Sequence, residues 1–118
     1  MRLQRIDSPL GPLTLAATPR GLALAWFDRT ALAFDAPEAT RSGPLFERCP
    51  QGSFGAVAAW AWGLRCCADA LLGGSHPQVV GVSVIGHSRG GKAALLAGAL
   101  NPRIRCTVAH NSGTCGAA

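Results

Sequence analysis

The residues best equipped for chemistry form one short run, Gly86-His87-Ser88-Arg89-Gly90. A G-x-S-x-G sequence acquires meaning when a strand runs into it and a helix leaves it. The tight turn then raises the serine above the sheet edge, and small residues on either side let strand and helix approach closely. The amide of Arg89 falls at a helix amino terminus, where it can donate to an oxyanion. A serine that merely caps the helix is the competing reading. An all-apolar strand before the motif and a buried helix after it favour a nucleophile elbow, with Ser88 as the attacking hydroxyl.

A serine nucleophile needs a base. His110 closes the strand that follows the helix, and neighbouring strands lie about 4.8 Å apart, so it ends on the same edge as Ser88. Base and bystander both remain open for it. His87 directly precedes Ser88, and backbone geometry should turn its ring away toward a packing or hydrogen-bonding role. His76 precedes the strand and belongs to a surface loop at the opposite edge. The acids are Asp7, Asp28, Asp35, Glu38, Glu47 and Asp69, so none follows residue 69 to complete a triad in line. The five cysteines, Cys49, Cys66, Cys67, Cys106 and Cys115, lack paired zinc-site spacing and are expected as free thiols. Cys67 is expected in the core, and Cys115 could approach Ser88. Neither a metal nor a cofactor is expected.

The elements that must position these groups are written in the apolar pattern. Residues 3–6, 13–17 and 22–27 are short apolar runs separated by Ser8-Pro9-Leu10-Gly11-Pro12 and Thr18-Pro19-Arg20-Gly21, which predicts a three-stranded antiparallel meander over 1–28. Over 29–53 no period is sustained, which predicts a connecting loop with one short helical turn. From residue 54, Val57, Trp60, Ala61, Leu64, Cys67, Ala68 and Leu71 fall on one helical stripe, closed by Gly73-Gly74. Trp62, Arg65 and Asp69 lie on another face, with Arg65 and Asp69 spaced for an i, i+4 pair. Residues 79–85 are apolar and β-branched throughout, as in a strand buried on both faces of a parallel sheet. Residues 90–100 read as a buried helix stopped by Asn101-Pro102, and 104–109 as a second strand. Strand, helix and strand make a βαβ unit with parallel strands.

Trp60-Ala61-Trp62-Gly63-Leu64, Gly86-His87-Ser88-Arg89-Gly90-Gly91-Lys92 and Asn111-Ser112-Gly113 together resemble the glucuronoyl esterases of the α/β-hydrolase superfamily. The resemblance covers about residues 54–118. It implies a partial α/β-hydrolase core in which Ser88 is the nucleophile, Arg89 helps hold the oxyanion and Lys92 contacts the sugar acid; His87, next to Ser88, is a further substrate-binding candidate by its position. It also implies a carbohydrate ester substrate, joining glucuronic acid to lignin alcohols. Separately, residues 6–17 with Arg20-Gly21-Leu22 and Trp26-Phe27 resemble the start of methylated-DNA cysteine methyltransferases, over about residues 1–28. That family's reactive Pro-Cys-His-Arg sequence is absent.

Composition bounds these readings. The 118 residues suit one domain, and 48% hydrophobic with 14% charged residues excludes a disordered chain. The longest uncharged run, residues 70–88, is broken by Gly73, Gly74 and Pro77 and does not make a membrane span. With Asp7 and Pro9 where a signal peptide needs its apolar region, the cytosol is the expected compartment. A net charge of +5 comes from singly scattered arginines, which argues against a nucleic-acid partner, and a DNA-associated module has only that charge in its favour. The expectation is therefore an α/β chain with a truncated α/β-hydrolase core preceded by a short β-meander, acting as a serine carboxylesterase through an acyl-enzyme on a small ester. Its rival is a noncatalytic fusion or truncation product that keeps the elbow without a complete triad. Open sheet edges suggest a homo-oligomer.

Overall fold

The computed structural model describes residues 2–6, 13–18, 21–36, 38–39, 41–73 and 78–113. His76 and Cys115 lie outside them. Three strands, β1 (Arg2–Ile6), β2 (Leu13–Ala17) and β3 (Ala23–Trp26), form an antiparallel sheet in the order β1-β2-β3, as the alternating apolar runs and turns predict. A 3-10 turn follows at Arg29–Ala31, capped by Asp28, whose carboxylate accepts from the Thr30 amide and hydroxyl. The segment expected as a loop with one helical turn thus holds two, the second being α1 (Pro44–Arg48), started by a proline at its first position.

Helix α2 (Ala56–Leu72) buries Trp60, Ala61, Cys67, Ala68 and Leu71, all from the expected stripe, with Ala59 and Gly63 added. Trp60 is 1% exposed and its indole nitrogen donates to the carbonyl of Ala33 at 2.8 Å, so the ring is buried with its one donor satisfied. The pair expected between Arg65 and Asp69 does not form. Asp69 accepts instead from Asn101 Nδ2 at 3.1 Å and Arg103 Nη1 at 3.0 Å, which joins α2 to the end of the next helix.

Strand β4 (Val82–His87), helix α3 (Arg89–Leu100) and strand β5 (Ile104–His110) form the predicted unit, with β4 and β5 adjacent and parallel. Helices α2 and α3 pack over one face, where Val84, Ala93, Ala94, Ala97 and Ile104 share a buried cluster with Trp60, Ala33 and Phe46. The alanine-rich face of α3 lets it lie close to the strands. Two details of β4 depart from the sequence reading. It starts at Val82 and runs on through His87, rather than spanning 79–85. It is also buried on one face only: Ile85 is 66% exposed, beside Val108 at 43%. An unbroken apolar run does not distinguish a strand covered on both faces from one covered on a single face among the residues at hand. Among the described residues no helix is long and apolar enough to cross a membrane.

Candidate active site

Ser88 occupies the single residue between β4 and α3, with φ 53° and ψ −126°. A non-glycine residue adopts that conformation only when its surroundings force it. Here its amide donates to the His110 carbonyl at the end of β5 at 2.9 Å, and its carbonyl accepts from the Gly91 amide at 2.9 Å. The turn is thereby tied to the neighbouring strand on one side and to the helix on the other. Although Ser88 stands at the cap position of α3, its side chain makes no capping hydrogen bond, and the residue is exposed. The hydroxyl therefore serves neither as a cap nor as packing. Asn111, the residue after β5, also has positive φ, at 46°.

Two glycines make the turn possible. A Cβ on Gly86 would collide with the backbone of Gly90 and Gly91, and one on Gly91 with the Ser112 hydroxyl. Close approach of strand and helix, expected for G-x-S-x-G, is the reason for Gly86; the motif's second glycine, Gly90, faces only the Arg29 guanidinium. Ser112 is 8% exposed, and among the described residues its hydroxyl has no hydrogen-bond partner beneath the first turn of α3.

Arg89 begins α3, and its guanidinium pairs with Asp35, which also pairs with Arg29. Arg29 in turn lies over the Trp60 ring, 4.4 Å from its centre. This chain of contacts brings an acid to the amino terminus of α3, where the sequence shows none downstream of Asp69. Asp35 sits in an aperiodic segment, so no pattern announces it. Lys92, half-buried, lies one turn along α3, its amide 3.4 Å from the Ser88 carbonyl.

His87 and His110 are register partners at the ends of β4 and β5, and both are exposed. Their ring centres are 5.2 Å apart with planes 40° from parallel. The His87 ring is thus on the outer face, as the alternation of side chains along a strand requires. Among the described residues no hydrogen bond joins the Ser88 hydroxyl to either imidazole. The structure gathers Ser88, Arg89, His87 and His110 around one turn, with Lys92 one helical turn away.

A cleft of about 850 Å³ opens between β3 and β4. Leu24, Trp26, Trp60 and Val84 line it, and it reaches Gly86, Gly90 and Arg29 beside the Ser88 turn. Leu24 and Trp26 are 59% and 50% exposed, so the cleft presents an apolar wall to solvent. Burial pushes the Cys67 thiol up to about 12, and burial with the nearby Asp69 charge also raises Cys66. Among the described residues no group of three or more histidine, cysteine or acidic side chains is placed to hold a metal ion.

A family model described as glucuronyl esterase, fungi, matches residues 9–118. Similar proteins include the 4-O-methyl-glucuronoyl methylesterase 1 of Sodiomyces alcalophilus, 40% identical over 106 residues that cover 85% of this chain and 21% of that protein. The 4-O-methyl-glucuronoyl methylesterase of Hypocrea jecorina is 35% identical over 104 residues, 85% of this chain and 23% of its own length. Carbohydrate esterase MZ0003, from an unknown prokaryotic organism, is 43% identical over 68 residues, 58% of this chain and 16% of its own. The chain thus spans about a fifth of the length of these relatives. No solved structure shows a significant match. The family match starts at residue 9, inside the segment that resembles methyltransferases, and gives that resemblance no support. Since the match takes in β2, β3 and the strand-turn-helix that carries Ser88, the chain belongs to the glucuronyl esterase family.

Proposed function

We propose that this chain carries the nucleophile of a serine carboxylic ester hydrolase, and that the Ser88 turn is the nucleophile elbow of a partial α/β-hydrolase core. The observation that carries the reading is Ser88 itself: a non-glycine residue at φ 53°, exposed, with a hydroxyl that caps nothing, at the mouth of a helix. In this reading the Ser88 oxygen attacks the ester carbonyl and yields its proton to a base, for which His110 is the candidate. The carbonyl oxygen takes up the negative charge facing the Arg89 amide and the positive end of α3. Collapse of the adduct expels the alcohol, which takes the proton from the base. Water then attacks the acyl-serine and restores the hydroxyl. Lys92 and His87 border the substrate, and the apolar cleft suits the alcohol portion. The names of the relatives point to 4-O-methyl-glucuronoyl esters as the substrate class.

Hydrolysis of nitrophenyl esters and of a glucuronoyl ester, compared between the native chain and Ser88→Ala, tests this. Activity lost on substitution supports it, and equal rates refute it. A second reading, a noncatalytic chain that keeps the elbow, is favoured by the missing hydrogen bond between the Ser88 hydroxyl and a histidine and by the engagement of Asp35 with two arginines. Under that reading neither chain turns over.

A further inference from the structure

The outer face of the β4–β5 sheet ends in two imidazoles side by side. His87 and His110 are register partners, exposed, on one face, with ring centres 5.2 Å apart. Two imidazoles bound to one tetrahedral Zn²⁺ through bonds of about 2.0–2.1 Å, at a tetrahedral angle, have ring centres roughly 5 Å apart. The ring-centre spacing of the pair thus matches that of two imidazoles sharing one metal ion. Neither imidazole makes a hydrogen bond among the described residues, so their nitrogen lone pairs are not spent on protein donors. The preceding register pairs on this face are Ile85 with Val108 and Ser83 with Cys106, none of which places a cation against the site.

We infer that His87 and His110 form a two-imidazole chelate for a divalent transition ion of the zinc class, with water filling the remaining positions. Imidazole nitrogen is a ligand suited to Zn²⁺, Cu²⁺ and Ni²⁺, and adjacent parallel strands hold the two donors at fixed separation, so the second bond forms at high effective concentration. The inference does not use the Ser88 hydroxyl, but it does use the imidazole proposed as the base, so a bound ion and ester hydrolysis compete for His110.

Zn²⁺ titrated into the full chain carrying ¹⁵N-labelled histidine provides the test. The expected result is that ring-nitrogen signals of His87 and His110 shift together and saturate at one equivalent. Ser88→Ala should behave identically, whether or not the native chain hydrolyses esters. His87→Ala and His110→Ala should each weaken binding by about tenfold or more, read by calorimetry, because each leaves a single ligand. Both side chains are exposed, and an unchanged circular dichroism spectrum verifies that the variants fold. Saturation that moves only His76, uptake by thiols alone, or an unaltered His110 response in His87→Ala overturns the chelate.

Discussion

Ser88 holds an expensive backbone conformation, and the cost is separable from the chemistry. Strain of this kind amounts to about 1–3 kcal/mol per residue, and glycine escapes it. Ser88→Gly should therefore be more stable than Ser88→Ala by about 1 kcal/mol in urea unfolding, while both lack the nucleophile. The thiols give a second prediction at this scale. A thiolate is the form that alkylates, and the Cys67 thiol is held up to about 12 by burial. Iodoacetamide at pH 8 should leave Cys67 unmodified in the folded chain while exposed Cys49 and Cys106 react, as peptide mass spectrometry would read. Because the folded thiol ionises later than the free one, its ordinary value being 9.0, it contributes stability that is intact below pH 9 and is lost as the pH climbs toward 12. Denaturant midpoints should fall across that alkaline window and not below it.

At the scale of elements, β4 and α3 approach so closely that the glycines between them are obligatory. A methyl group on Gly86 runs into the backbone of Gly90 and Gly91, which has no flexible end to give way. Gly86→Ala should cost about 3 kcal/mol, at the upper end for overpacking, checked by equilibrium unfolding. This part of the molecule was also the most legible from sequence. The change of apolar period at residues 86 and 102 marks strand, helix and strand, and it locates Ser88 within a single residue. What escaped were contacts between distant segments. Ala33 and Phe46 enter the core from a stretch with no period, and Asp35 reaches Arg89 across 54 positions of chain. Asp69 had a plausible partner four residues away at Arg65, yet Asn101 and Arg103, delivered by the end of α3, offer it two donors at once. Such choices depend on tertiary approach, which local spacing does not encode. The far end of β4 departs from the apolar pattern for a simpler reason: the apolar run ends at Ile85, whereas the strand continues through polar His87.

On the scale of the whole molecule, the outer face of the parallel pair leaves Ile85 and Val108 side by side in solvent, and the edge of β4 away from β5, which no strand pairs among the described residues, borders the cleft. Exposed apolar surface next to an open strand edge favours association. Sedimentation should show a dimer or larger species at micromolar concentration, and a charge introduced by Ile85→Lys should shift it toward the monomer. A monomer for the native chain would show that this face tolerates water.

The meander meets the rest of the molecule through a small second cluster, in which Ala25 and Phe27 pack against Cys67 and Leu71 of α2. Its exposed residues Leu22, Leu24 and Trp26 contribute little to that attachment. A three-stranded sheet fastened so lightly can detach while the helices and the parallel strands stay folded, because the free energy of opening follows the apolar area that each part buries. Amide protons of β2, in the middle of the meander, should then exchange with deuterium through a partial opening, well before those of β4 and α3, which wait for global unfolding. The chain would thus possess two exchange regimes. Leu71→Ala should speed exchange in the meander far more than in the strand that carries Ser88 to its turn.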